Sequence, residues 1–367
     1  MNNNSSRRRK NPKSPQRHVT FEDGVIEKDK STFTPRQFFT QHSRKLLVLI
    51  LFTGIVYLLF VPPPKFSQEV QFWHDSSYLY KFGQFDIHFH DIPRIKKPVS
   101  LNPVLLILHG FPTSSYDWRD LVPKFHKKFG RVIIPDFLGF GFSDKPKKHV
   151  YSIMEQAEMV ESLLKYLNIT EVHMLSHDYG DTVLQELLAR TNDPSYNLKF
   201  KIQSICLTNG GIIPSQHKPL LIQSLLVKPV LRSILPYLTT RFIFASRFSS
   251  VFAPDRTPSS RLLDDFYAII SYKGGNLVSP AILRYIAERH DHEERWVGAL
   301  QETKIPIHLI YGPLDPINTP DGFLKTYEEL VPHSTVSVLE GIGHYPQLEA
   351  PTGFVKAYEK FLKQINI

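Results

Sequence analysis

The sequence predicts an α/β domain: a mostly parallel sheet with helices on both faces, a helical lid inserted over one edge, and a single apolar helix ahead of it. Three observations carry this reading. From about residue 78 to the end, short apolar runs alternate with segments of helical spacing, the pattern of a sheet covered on both sides. That rhythm breaks at about 214–296, where Leu, Ile, Phe, Tyr and Ser mix with several prolines. Far upstream, 46–61 reads LLVLILFTGIVYLLFV, without a charge.

In chain order, residues 1–45 come first. They carry eleven Lys and Arg against four Asp and Glu amid Asn, Ser and Pro, the composition of a disordered tail. The chain as a whole is +9, so residues 46–367 are close to neutral, which argues against nucleic-acid binding by the folded part. The run at 46–61 would span about 24 Å at ~1.5 Å per residue, short of a ~30 Å core and closest to the ~27 Å of a thin endoplasmic reticulum bilayer. Arg44 and Lys65 flank it and can snorkel. A cleaved signal peptide fits less well, because no small-x-small site follows. The basic side is expected in the cytosol and the domain in the lumen, where Asn168-Ile169-Thr170 would be a glycosylation acceptor. Residues 62–76 read as a linker.

The domain proper begins with a hairpin at 78–82 and 85–91. Strands are expected at 104–108, 131–135, 172–175, 202–207, 307–310 and 335–339, the first being the fully apolar VLLIL. Helices are expected at 152–167, 182–190, 320–330 and 352–364. The insertion at 214–296 follows the strand at 202–207 and would cover the C-terminal strand ends, where ligands bind in such sheets. The only cysteine, Cys206, lies in an apolar run and reads as core.

Chemistry concentrates at those strand ends. Ser176-His177-Asp178-Tyr179-Gly180 joins a strand to a helix, the setting of a nucleophile elbow, small-x-nucleophile-x-small. Its centre is Asp178, and Ser176 is the small residue of the turn. His109-Gly110-Phe111-Pro112 follows the strand at 104–108, so the N–H groups of Phe111 and Tyr179 would form an oxyanion hole. Asp315 follows one later strand and His344 the last. The order nucleophile, acid, histidine suits a triad converging on one edge. No phosphate-binding glycine loop and no clustered metal ligands are legible, so neither cofactor nor metal is expected. His290 and His292, beside Glu293 and Glu294, read as a solvated turn.

The stretches HGFPTSSYDW, FLGFGFSDKP, LSHDYGD, YGPLDP and GIGHYPQLEAP resemble the α/β-hydrolase superfamily, in its epoxide hydrolase and haloalkane dehalogenase branch. YSIMEQA, NGGIIP, RWVGAL and the N-terminal anchor resemble, more narrowly, the mesoderm-specific transcript proteins. That resemblance implies an endoplasmic reticulum membrane hydrolase without a settled substrate. In the broader branch a lid tyrosine protonates the leaving oxygen, and Tyr285 resembles that position, with Tyr267 and Tyr272 as rivals. Tyr179 stands where the branch commonly has Trp, and Phe111 where a dehalogenase would use Asn.

Residue type narrows the reaction. A carboxylate attacking an ester gives a reactive anhydride; attacking an alkyl carbon, it gives an ester that water can hydrolyse. Asp178 therefore points to a covalent alkyl-enzyme ester, His344 to activation of the water, and Asp315 to orientation of the imidazole. The expected substrate is a lipophilic epoxide. Lipid acyl hydrolysis or transfer is a second reading, and a non-catalytic binding protein a third. In the tail, Arg17-His18-Val19-Thr20-Phe21 resembles the peptide by which regulatory subunits dock on protein phosphatase 1, with Val19 and Phe21 as pocket residues.

Overall fold

The computed structural model describes residues 35–60, 62, 64–94, 103–226, 228, 235–320 and 322–367. They fall into two compact units divided between Ile55 and Val56. Val19 and Phe21 lie outside the described residues, as does the tail up to residue 34. Helix α1 (Pro35–Phe60) contains most of the apolar run. It begins well ahead of that run, inside the stretch expected to be disordered. Proline suits a first helical position, and no Gly or Pro interrupts residues 36–45. Side chains are described for 43–54 and 56 of this helix, and no helix among the described residues is long and apolar enough to cross a membrane.

The expected linker also folds in part. Helix α2 (Gln68–Asp75) is capped by the Ser67 hydroxyl, which accepts from the Val70 N–H, and it buries Val70 and Trp73. The Trp73 indole N–H donates to Ser115 Oγ at 3.1 Å. This segment is therefore the first element of the domain.

Eight strands make one sheet: β1 (Tyr78–Phe82), β2 (Phe85–Pro93), β3 (Val104–Leu108), β4 (Arg131–Pro135), β5 (Glu171–Ser176), β6 (Lys201–Thr208), β7 (Ile307–Tyr311) and β8 (Thr335–Val338). Their order is β1-β2-β4-β3-β5-β6-β7-β8. The β1–β2 and β2–β4 pairs are antiparallel and all others parallel. Alternation along each strand divides the core into two layers. Val104, Leu106 and Leu108 of β3 face one layer with α4 (Ile153–Tyr166) and α5 (Tyr179–Asn192), which follow the short α3 (Val122–Phe125). Leu105, Ile107 and the buried Cys206 face the other, against α2, α3 and the C-terminal helix.

After β6 the chain enters the lid: α6 (Leu221–Leu226), α7 (Arg241–Ser249), α8 (Ser260–Ser271), α9 (Gly275–Ile282) and α10 (Tyr285–Asp291). The next helix, α11 (Glu293–Glu302), already belongs to the layer beside α5. Buried Glu186 of α5 accepts from Arg295 Nε and from the Trp296 indole, each at 2.8 Å. Helices α12 (Phe323–Leu330), α13 (Pro346–Glu349) and α14 (Pro351–Gln364) complete the fold around β7 and β8.

Candidate active site

β5 ends at Ser176 and α5 begins at Tyr179, which leaves His177 and Asp178 in the turn. Asp178 has φ 47° and ψ −104°, a conformation that costs a non-glycine residue on the order of 1–3 kcal/mol. Small neighbours permit it. A Cβ on Gly180 would lie 2.6 Å from the Leu108 carbonyl oxygen, and one on Gly110 only 2.5 Å from His177 Nδ1. The Asp178 N–H is anchored on the Thr208 carbonyl at 3.1 Å. The Ser176 hydroxyl turns into the body of the domain and donates to Asp181 Oδ1 at 2.5 Å.

The Asp178 carboxylate sits between two donors. Oδ2 accepts the Phe111 N–H at 3.0 Å. Oδ1 lies 3.4 Å from Nη2 of Arg289, which also donates to the Asp178 carbonyl at 3.1 Å. Arg289 comes from α10 in the lid and is 1% exposed. Its Nε donates to the Thr182 hydroxyl at 2.8 Å, its Nη1 to His217 Nδ1 at 3.3 Å, and its guanidinium lies 4.5 Å from the Tyr285 ring centre. Burial opposes charge on Asp178, but Arg289, His344, His177 and the Phe111 N–H outweigh it and hold the carboxyl below its usual range. His217 is driven down to about 3 by burial and then by Arg289, so it is neutral there. Sequence reasoning did not find Arg289. Its spacing of four from Tyr285 on one helical face was the available signal.

The structure brings the other two triad candidates, Asp315 and His344, into contact. His344 Nδ1 lies 2.9 Å from Asp315 Oδ2. That oxygen also accepts from Asn209 Nδ2 and Asn318 Nδ2, each at 3.0 Å, while Oδ1 accepts the Ile317 N–H at 2.8 Å. Burial works against the imidazolium, yet Asp315, its hydrogen bond and Asp178 together raise the His344 pKa above its ordinary value. Burial likewise opposes charge on Asp315, and His344 with the amide donors overrides it. Asn209, at φ 44°, clamps the ends of β6 and β7. Its Nδ2 donates to the Gly312 carbonyl at 3.0 Å and its Oδ1 accepts the Gly312 N–H at 2.9 Å.

Tyr285 is buried, with its ring 6.0 Å from that of Phe111 and 5.0 Å from that of Tyr179. Burial pushes its hydroxyl pKa up. The rivals are engaged elsewhere. The Tyr267 hydroxyl donates to the Thr239 carbonyl at 2.9 Å, and Tyr272 packs against Phe66, His74 and Phe142. Tyr179 is the first residue of α5, where helix amides point at an anion site. Asn168 is exposed between α4 and β5, at φ 53°. His290 is exposed, and among the described residues no group of three or more His, Cys, Asp or Glu is placed to hold a metal.

A cavity of about 140 Å³ opens between domain and lid. Phe111, His344 and Tyr345 form its domain side, and Ile243, Phe244 and Phe248 of α7 face them. Among the described residues that line it there is no carboxylate and one guanidinium, that of Arg247. The Asp178 side chain is 4% exposed, and neither it nor Arg289 is among the residues that line this cavity.

Residues 103–228 match the family described as alpha/beta hydrolase fold. The mesoderm-specific transcript protein of Mus musculus is 46% identical over 297 residues, 80% of this chain and 88% of that protein. The putative hydrolase LipZ of Mycobacterium tuberculosis is 36% identical over 249 residues, 68% of this chain and 84% of that one. Among solved structures, the haloalkane dehalogenase DatA from Agrobacterium tumefaciens C58 has a TM-score of 0.63 at 19% identity, covering 79% of this chain and 96% of that chain, a likeness of fold. Identity at the first of these levels, over most of both chains, makes the protein a member of the α/β-hydrolase fold family, among the mesoderm-specific transcript proteins.

Proposed function

We propose that this hydrolase uses Asp178 as its nucleophile and acts through a covalent alkyl-enzyme ester on a lipophilic epoxide. The observation that carries the reading is an aspartate at the elbow, with the Phe111 N–H on one carboxylate oxygen, in one chain with a buried Asp315–His344 pair. Oδ2 is held by Phe111, so Oδ1 attacks the epoxide carbon. The C–O bond of the ring breaks, its electron pair stays on oxygen, and that oxygen takes the Tyr285 hydroxyl proton. Water then adds to the Asp178 ester carbonyl while His344 accepts its proton. The tetrahedral oxyanion rests on the N–H groups of Phe111 and Tyr179. Collapse breaks the acyl–oxygen bond, the proton still on the added hydroxyl passes to the departing oxygen, the diol leaves and the carboxylate is restored. The proton held by His344 returns to the tyrosinate.

The apolar lid cavity favours a second reading, lipid acyl hydrolysis or transfer, for which attack by Asp178 would give an anhydride. The proposal includes a single-pass anchor at 46–61 in the endoplasmic reticulum membrane, with the domain lumenal and Asn168 glycosylated. It rests on the uncharged run, the basic residues ahead of it and the sequon. A phosphatase 1 docking peptide at Val19 and Phe21 completes it. A pull-down with Val19→Ala and Phe21→Ala tests that element, and equal recovery of wild type and variant rejects it.

The catalytic test is intact-mass spectrometry of the His344→Gln variant after incubation with lipophilic epoxides. The expected result is an adduct that maps to Asp178 and vanishes when Asp178→Asn is added. Folded protein that gives no adduct with any epoxide or alkyl halide refutes the alkyl-enzyme mechanism.

A further inference from the structure

The mechanism just described leaves Arg289 without a task, although it is the most heavily engaged buried cation near the nucleophile. Its guanidinium lies 3.4 Å from the attacking oxygen, Oδ1, and the Asp178 side chain has almost no exposed surface. Two consequences follow from charge alone. While the pair is closed, the guanidinium competes with any electrophile for the Oδ1 lone pair. Once Asp178 becomes an ester it carries no charge, and the counter-charge of the guanidinium passes to the tyrosinate that ring opening leaves at Tyr285, whose ring centre lies 4.5 Å away. Before ring opening no side chain in contact with Arg289 offers a negative charge in place of Asp178: Thr182 is a hydroxyl, His217 a neutral imidazole and Tyr285 an uncharged phenol. Neighbouring Glu288 is committed to Arg284 at 3.2 Å and to the Ile153 N–H at 3.1 Å.

We infer that the substrate of this site carries its own anionic group, a carboxylate close to the electrophilic carbon, and that Arg289 is the residue that receives it. The inference rests on the alkyl-enzyme reading and names the substrate class within it. The carboxylate takes the guanidinium from Asp178 and frees Oδ1. When Oδ1 then forms its bond to carbon and the C–O bond opens, the positive charge of Arg289 remains paired throughout. An uncharged epoxide offers no such exchange. The neighbouring cavity has no carboxylate in its described lining and one guanidinium, that of Arg247.

The test compares two probes of nearly equal size, 3-phenylglycidate and its primary amide, on the full chain carrying His344→Gln. Alkylation of Asp178 is followed by intact mass. The expected result is at least tenfold faster labelling by the carboxylate, and loss or reversal of that preference when Arg289→Gln is added. Equal or faster labelling by the amide overturns the inference and leaves the alkyl-enzyme mechanism standing. Absence of labelling by both probes, and by every epoxide of the wider panel, overturns that mechanism and the inference with it. The comparison in the Arg289-containing protein decides the matter even if Arg289→Gln does not fold. Where it does fold, a carboxylate preference that survives the substitution also overturns the assignment to Arg289.

Discussion

A double-mutant cycle on Arg289 and Asp178 tests the pairing on which much of the site depends, and it needs no substrate. At the observed 3.4 Å separation, Coulomb's law with an effective dielectric of ~20 gives about 5 kcal/mol for the bare attraction. Desolvation of both charges offsets much of it. Removing one partner strands the other in the interior, at roughly 3–5 kcal/mol. Arg289→Met leaves the Asp178 carboxylate with the Phe111 N–H and two imidazoles but without its guanidinium; Asp178→Asn leaves the guanidinium with Thr182, His217 and a carbonyl. The double variant strands neither, so its destabilisation falls short of the sum of the singles by about 2–3 kcal/mol. Urea unfolding followed by the fluorescence of the three tryptophans measures all four corners. The pH dependence adds a sign. In the wild type the depressed Asp178 pKa contributes stability that is present above its ordinary value of 3.8 and lost as pH falls through the lower folded value. In Arg289→Met burial is much less opposed, so the deficit narrows on acidification. A coupling below about 0.5 kcal/mol, the usual scatter of independent sites, with parallel pH curves, refutes the ion pair and the charge argument drawn from it.

Asp315→Asn should slow hydrolysis of the ester intermediate by about 10³-fold or more, by analogy with other triads, while alkylation proceeds; single-turnover mass spectrometry separates the two, and equal loss in both steps contradicts the assigned role. Hydrolysis should rise with pH and level off only above the raised His344 pKa, because the neutral imidazole is the base. The pair's contribution to stability is fully present below about pH 6.5 and fades as pH climbs through the folded value. Gly180→Ala should destabilise by at least 1–3 kcal/mol, roughly the cost of overpacking, since the new methyl meets rigid backbone oxygens of the β3 end; an unchanged urea midpoint counts against that packing. Asn168→Gln should abolish a glycosidase-sensitive gel shift of the protein made in cells that glycosylate lumenal domains, and the absence of any shift in the wild type rejects both the glycan and the orientation.

The legible parts of the chain were those with one dominant periodicity. The strands at 104–108 and 131–135 match β3 and β4 residue for residue, because runs buried on both faces have abrupt polar boundaries. Helix α5 begins at Tyr179, three residues before its expected start, because the elbow motif occupies its first turn and hides the helical spacing. Asp178, Asp315, His344 and Phe111 could be named from the sequence because each lies in the loop after a parallel strand, two to six residues past its end, so topology brings those loops to one edge. Arg289 was hidden in a dense run of charges, RYIAERHDHEER. Five of its twelve residues are exposed and four more half-buried, and only tertiary packing distinguishes the one fully buried cation. Helix α2 was missed for a related reason: eight residues with two buried contacts make a weak amphipathic signal beside the prolines before them.

The Asn209 clamp joins the end of β6 to a loop that lies about a hundred residues further along the chain. At roughly 5–20 residues per second of synthesis, β6 exists for about 5–20 s before β7 can be made. Through that interval the edge of the growing sheet is QSICLT, half apolar, without proline and open to pairing with another chain. Lys199 and Lys201 stand at its start and act as charged gatekeepers. The lid helices, made during the same interval, are the first surface of this chain available to cover it. That side of the sheet is closed only once β7 is made and Asn209 stitches the end of β6 to the Gly312 loop.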